Sequence, residues 1–207
     1  MSIRAVIFDF GGVLCPMPGT ADLEPLRRLS GIPEPAFEAC FWRRRLDYDR
    51  GTLDGPAYWR DIAQQVGTTF STQQIEDLIA QDVAMWQKLD PAVMDWVGGL
   101  KQSGVKTAIL SNMPPDLARY LRSHAEWLNQ FDFVVFSAEL GLVKPDSGIY
   151  RACLEGLDVQ AAETVFLDDI PVNVERARTL GINGIRFVSM AELSDDIQPL
   201  GLPLLAV

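Results

Sequence analysis

The run Ile3-Arg4-Ala5-Val6-Ile7-Phe8, closed by Asp9 and followed by Phe10-Gly11-Gly12, decides how the rest of the 207-residue chain is read. It is short, apolar and stopped by turn formers, the pattern of a strand buried on both faces of a parallel sheet. Asp9 interrupts it too early for a signal-peptide core or a membrane-spanning helix. Four further runs share the pattern: Lys106–Leu110, Phe133–Ser137, Thr164–Leu167 and Gly184–Val188. Between them lie helical periodicities at Ala92–Ser103, Pro115–Leu128, Ser147–Leu157 and Pro171–Leu180. Pro91 and Pro171 stand where a first helical turn tolerates proline, and Gly104 and Gly181 follow helix ends. Strand and helix alternate from residue 91 onward, which predicts an α/β fold with a doubly wound, Rossmann-like parallel sheet.

Residues 16–90 depart from that rhythm. Helical patterns at Asp22–Leu29, Pro35–Arg45, Gly55–Gln65 and Thr72–Gln87, with no strand between them, predict a helical insertion. The expected organisation is a core domain from residues 1–15 and 91–207 and an inserted helical cap domain from residues 16–90. Pro16, Pro18 and Gly19 mark one hinge and Asp90-Pro91 the other. Such an insertion would sit over the carboxyl ends of the strands, where sheets of this kind bind ligands.

Composition narrows the function. Asp and Glu number 28 against 18 Lys and Arg, a net charge of -10, which makes nucleic acid and anionic membranes poor partners. Cys15, Cys40 and Cys153 are odd in number and widely spaced, which points to a reducing compartment, and the cytoplasm is the expected location. A single histidine, His124, excludes a histidine-cluster zinc site and leaves hard carboxylate oxygens, suited to Mg²⁺ or Ca²⁺. Four chemistry-bearing clusters fall at or near strand ends: Asp9 after the first strand, Ser111-Asn112 after the second, Lys144-Pro145 beyond the third and Asp168-Asp169 after the fourth. Singly, each has an ordinary structural reading as a turn, a helix cap or a solvated lysine. A parallel sheet, however, gathers all four at one edge. Acids from opposite ends of the chain would repel there without compensation, and Mg²⁺ resolves the repulsion.

Phe8-Asp9-Phe10-Gly11-Gly12-Val13-Leu14, Ile109-Leu110-Ser111-Asn112, Leu142-Val143-Lys144-Pro145 with Tyr150, and Val165-Phe166-Leu167-Asp168-Asp169 resemble the four motifs of the haloacid dehalogenase superfamily, in order and across essentially the whole chain. Small sugar-phosphate phosphatases and the phosphatase domain of soluble epoxide hydrolase are the nearest in pattern. The resemblance implies Asp9 as the nucleophile that forms an aspartyl-phosphate. It implies Mg²⁺ held by Asp9, the Gly11 carbonyl and Asp169, with Asp168 helping through water and Asn173 standing behind them. It further implies that Ser111 and Asn112 hold phosphate oxygens and that Lys144 neutralises both phosphate and Asp9. The chemistry is consistent: a carboxylate approaching a phosphate dianion needs cations to screen it.

One position departs from the family. Most phosphatases of the superfamily carry a second Asp two residues after the nucleophile as general acid and base, and here Gly11 stands there. The expected function is Mg²⁺-dependent hydrolysis of a small phosphorylated metabolite, such as a sugar phosphate, by a monomer or homodimer. The alternatives are a non-catalytic regulatory domain of the same fold and a 2-haloacid dehalogenase, which needs no leaving-group proton but has no use for paired acids in the last motif. Cleavage of a carbon–phosphorus bond through a cap lysine fails because residues 1–87 contain no lysine. Between them, residues 16–90 carry Arg27, Arg28, Arg43, Arg44, Arg45, Arg50 and Arg60 beside Phe37, Phe41, Trp42, Tyr48, Tyr58 and Trp59. Most of these read as core or solvated face, with one or two arginines left to reach the substrate. Cys15 is expected to pack rather than react.

Overall fold

The computed structural model describes residues 2–203. Five parallel strands, β1 (Ala5–Phe8), β2 (Lys106–Ser111), β3 (Phe133–Phe136), β4 (Thr164–Asp168) and β5 (Asn183–Arg186), form one sheet in the order β3-β2-β1-β4-β5. β1 lies at the centre, with Phe8 opposite Ile109 on one side and Leu167 on the other. Its four residues are fully buried because the sheet is covered on both faces. Alternate residues feed two cores. Val6 and Phe8 join Ile109, Val165, Leu167 and Trp96 on one face, while Ala5 and Ile7 join Leu110, Phe166, Ile149 and Cys153 on the other. The expected doubly wound α/β sheet is what forms.

The helices follow the chain as α1 (Thr20–Ser30), α2 (Ala36–Arg43), α3 (Arg45–Asp49), α4 (Gly55–Gln65), α5 (Thr72–Met85), α6 (Pro91–Gln102), α7 (Pro115–His124), α8 (Ser137–Leu140), α9 (Ser147–Leu157), α10 (Pro171–Thr179) and α11 (Met190–Ile197). Their starts are written in side chains: Asp54 accepts from Ala57 N, Ser71 from Gln74 N, and Asp90 from Ala92 N and Val93 N ahead of Pro91. α1, α2, α4 and α5, with Tyr48 of α3, enclose a separate apolar cluster that includes Leu26, Phe41, Tyr58, Trp59, Ile62 and Leu78. The two chain segments that connect these helices to the sheet run side by side, with Asp90 N donating to Leu14 O at 2.8 Å. No helix among the described residues is long and apolar enough to cross a membrane.

Beyond shifts of one or two residues at element ends, such as β5 at Asn183–Arg186 where Gly184–Val188 was expected, the structure differs from the sequence reading in four places. The helix expected at Pro35–Arg45 breaks at Arg44 into α2 and α3, and the break turns Arg45 inward to two carboxylates. The helix expected to run to Leu128 stops at His124, and a 3₁₀ turn covers Glu126–Gln130. α8 is a single turn with too little periodicity to read. α11 lies outside the expected helices although Ser189, which accepts from Glu192 N, is the start of a Ser-x-x-Glu signature.

Candidate active site

Every strand-end cluster singled out in the sequence reaches one cavity of about 300 Å³, lined by Asp9, Gly11, Ser111, Asn112, Lys144, Asp169 and Asn173 among others. Asp9 follows β1 directly. Its backbone N donates to Leu167 O at 2.8 Å, and its Oδ1 accepts from Phe10 N at 2.7 Å, so strand and loop together fix the carboxylate. The loop then turns back on itself, with Gly12 N donating to Cys15 O and Cys15 N to Phe10 O. Gly12 has φ +78°, and an added Cβ would stand 2.5 Å from the Asp169 carboxyl carbon. Only glycine allows the loop and Asp169 to come that close. Cys15 is buried, its thiol pushed up to about 11 by burial, and it packs as expected.

Lys144 is not solvated. It is 2% exposed, with Nζ 2.8 Å from Asp9 Oδ1 and 2.6 Å from Asp168 Oδ2. Burial alone would lower its pKa, but Asp9 and Asp168 hold the amine above its ordinary value. Its loop is tied to β2 by the Asn112 side chain, whose Oδ1 accepts from Lys144 N at 2.8 Å and whose Nδ2 donates to Lys144 O at 3.1 Å. The Asn112 side chain therefore aims Lys144 through both its oxygen and its nitrogen. The Ser111 hydroxyl, in the cavity wall, makes only a long 3.4 Å contact to Asn112 O.

Asp168 and Asp169 divide their work. Asp168 is fully buried, and its oxygens accept from Lys144 Nζ, Ile170 N and Asn173 Nδ2. Asn173 is held in turn by Tyr150, whose hydroxyl donates to Asn173 O at 3.0 Å. Asp169 is different: its Oδ1 is buried with no hydrogen-bond partner. Oxygens of Asp9, Asp168 and Asp169 lie within 4.8 Å of one another. Against these three carboxylates stands one lysine, and the surplus negative charge registers in the protonation of Asp9 and Asp169. Burial, opposed by Lys144 and reinforced by Asp168, pushes Asp9 up to about 8. Burial and the charge of Asp168 also raise Asp169.

Much of the remaining wall comes from residues 16–90, with Ile170, Met113, Pro114 and Leu117 added from the sheet side, and it was not legible in the sequence. Met17, Trp42, Leu46 and Ile170 line the cavity while remaining exposed, so an apolar rim surrounds its mouth. Among the arginines of residues 16–90, Arg45 is the one that is buried and lines the cavity, with Asp49 and Trp86 beside it. Arg45 and Asp49 stand four residues apart, a pairing signal that Arg43 and Asp47 share, so the spacing alone does not say which arginine turns inward.

Comparison with known proteins agrees with this geometry. A 31% identical stretch of 197 residues, 89% of this chain, occurs in mouse acyl-CoA dehydrogenase family member 10, of which this chain spans only 18%. A sesquiterpene phosphatase of Aspergillus oryzae is 30% identical over 186 residues, 89% of either protein. A Bacteroides thetaiotaomicron enzyme of the haloacid dehalogenase family, solved in complex with magnesium and inorganic phosphate, shares the fold with a TM-score of 0.71 at 20% identity, over 89% of this chain and 94% of that one. The family model for haloacid dehalogenase-like hydrolases matches residues 3–181, a stretch that carries all four strand-end clusters, and this chain, an enzyme, belongs to that family.

Proposed function

We propose that this hydrolase is a Mg²⁺-dependent phosphatase that cleaves small phosphate monoesters through an aspartyl-phosphate at Asp9. The observation that carries the reading is the convergence of Asp9, Asp168 and Asp169 around Lys144 at the base of one cavity. The residues fit a divalent cation. One ammonium cannot balance three carboxylates, Asp169 Oδ1 is buried and unpartnered, and all the donors are hard oxygens. Asp9, Asp169 and the Gly11 carbonyl would hold the metal, with Asp168 supporting them through water. When bound, Mg²⁺ would neutralise the acids and screen the approach of the phosphate.

The chain's own residues then have distinct tasks. Asp9, fixed by Phe10 N, presents an oxygen for attack on phosphorus. Lys144 supplies positive charge beside that oxygen, where charge develops in the transition state. The Ser111 hydroxyl and the Asn112 main-chain amide bind phosphate oxygens, while the Asn112 side chain holds Lys144 in place. Asn173 and Tyr150 hold Asp168. Residues 16–90 form a cap domain over the core of residues 1–15 and 91–207, and Trp42, Leu46 and Trp86 close the cavity from that side.

The wall also bears on the substrate. Both cations that line the cavity are already shared by two acids each, Lys144 by Asp9 and Asp168 and Arg45 by Asp49 and Asp82. Neither is free for a second anionic group, and the rim of Met17, Trp42, Leu46 and Ile170 offers a polyol little to bind. A monophosphate of an apolar alcohol fits this wall better than the sugar phosphate expected from the sequence. Hydrolysis of an alkyl or aryl phosphate should require Mg²⁺, stop in EDTA and vanish in Asp9→Asn. Turnover of a 2-haloacid in EDTA, with none of any phosphate ester, would overturn the reading.

A further inference from the structure

Breaking a P–O bond to an aliphatic alcohol calls for a proton on the departing oxygen, and position 11 cannot supply it. The space a side chain would take there is already filled: an added Cβ on Gly11 would stand 3.0 Å from Trp86 Cζ3 and 3.6 Å from Met17 Sδ. The donor has to come from elsewhere in the wall. Three carboxylates line the cavity, Asp9, Asp49 and Asp169. On the phosphatase reading, on which this inference rests, Asp9 is the nucleophile and Asp169 faces the metal. Asp49 remains.

Asp49 belongs to a cluster with one negative charge too many. Arg45 Nε donates to Asp49 Oδ1 at 3.1 Å, and Arg45 Nη1 donates to both oxygens of Asp82 at 3.0 and 2.8 Å. Asp82 is 2% exposed, Arg45 7% and Asp49 9%. One guanidinium between two buried carboxylates leaves a net charge of about -1, which burial disfavours, and one proton removes it. The proton belongs on the acid that the guanidinium holds less firmly. Asp82 is gripped through both oxygens, whereas Asp49 is gripped through one.

We propose that Asp49 is the proton donor to the leaving alcohol, a role played from the helical segment rather than from the loop after the nucleophile. In the first step an Asp9 oxygen bonds to phosphorus, the P–O bond to the alcohol breaks, and the Asp49 proton passes to the departing oxygen to give the neutral alcohol. In the second, water attacks the aspartyl-phosphate from the side the alcohol left. Its proton returns to the Asp49 carboxylate, and the P–O bond to Asp9 breaks to release phosphate. The groups that face Asp49 are consistent with a carboxyl that cycles between both forms. Arg45 lies on its own helix, Asp82 on α5, Tyr58 on α4 and Lys144 on the loop before α9. Burial raises Asp49, Arg45 restrains the rise, Asp82 adds to it and Lys144 opposes it, which leaves the group at about 6. The Asp49 backbone is anchored independently, its carbonyl accepting from the Ser137 hydroxyl.

The test compares Asp49→Asn with the wild type on n-octyl phosphate and p-nitrophenyl phosphate, by kcat/KM in Mg²⁺. Nitrophenolate leaves without a proton and octanol does not. The substitution should therefore cost the octyl ester about 10²–10⁴-fold and the nitrophenyl ester less than about tenfold, the latter also serving as the check on folding. In the wild type, kcat/KM for the octyl ester should fall on the alkaline side as Asp49 loses its proton, and the nitrophenyl ester should lack that limb. Equal losses on the two esters, an octyl ester rate unchanged by the substitution, or identical wild-type pH profiles would overturn the proposal. Retained hydrolysis of the nitrophenyl ester in Asp9→Asn would instead overturn the phosphatase reading beneath it.

Discussion

Lys144→Met keeps most of the buried stem and removes only the charge, so it isolates what that charge does. Nζ lies 2.8 Å from Asp9 and 2.6 Å from Asp168, and both side chains are nearly or fully buried. Without the amine, these two carboxylates and Asp169 face one another with no cation among them. Breaking a buried pair by deleting one partner costs about 3–5 kcal/mol, because a charge is left buried and uncompensated. For a chain of this size that corresponds to a fall in Tm of about 6–20 °C. The sign of the pH dependence follows from the carboxylates. Asp9 already sits at about 8, above its ordinary 3.8, because burial outweighs Lys144, and loss of the amine raises it further. A folded state that binds more protons than the unfolded chain gains stability as pH falls. The deficit should therefore be largest at alkaline pH and shrink toward pH about 5. Urea unfolding of metal-free Lys144→Met and wild type in EDTA, on the alkaline and the acid side of Asp9, measures it. Adding Asp168→Asn should recover part of the loss, since the two sites are coupled. A deficit below about 1 kcal/mol, or one that does not change with pH, would refute the reasoning.

Three further outcomes follow. Gly12→Ala should destabilise the fold by about 1–3 kcal/mol and weaken Mg²⁺ binding by calorimetry, since it forces a Cβ onto Asp169 at a positive φ; a variant with wild-type affinity would show that the loop can give way. Asp82→Ala should cost about 3–5 kcal/mol by urea unfolding, because it strips Arg45 of its two-point partner in a buried site, and a neutral result would mean that water reaches the guanidinium. Asp49, raised from 3.8 to about 6, should contribute at most about 3 kcal/mol of stability that is present below pH 3.8 and lost as pH rises through 6. Asp49→Asn should flatten that part of the curve in metal-free protein, and an unchanged curve would show that Asp49 is not the group responsible.

The sheet was legible because each of its strands is a local event. Ile3–Phe8, Lys106–Leu110 and Thr164–Leu167 are apolar runs with turn formers behind them, and burial on both faces leaves no other pattern for a central strand. The strand ends carried most of the site with them, since parallel strands bring Asp9, Ser111 and Asp168 to one edge whatever lies between, and Lys144 joins them from the loop beyond β3 that Asn112 ties down. α4 and α9 ended where the spacing predicted, helped by Asp54 before Pro56 and by Asp146. Tertiary structure decided the rest. The break at Arg44 has no glycine or proline to announce it, and it brings Arg45 to Asp82, 37 residues away in sequence. Asn173, five residues on, could be placed behind the acids from the sequence, but nothing near Asp168 in the chain says that Lys144 would take one of its oxygens while Asp169 Oδ1 stayed unpaired. Nor does the run of arginines from 43 to 45 say which one turns inward. Motif residues and buried strands are set by local pattern and chain direction. The protonation and partners of a buried charge depend on which distant groups share its low-dielectric surroundings, and only the folded chain assembles those.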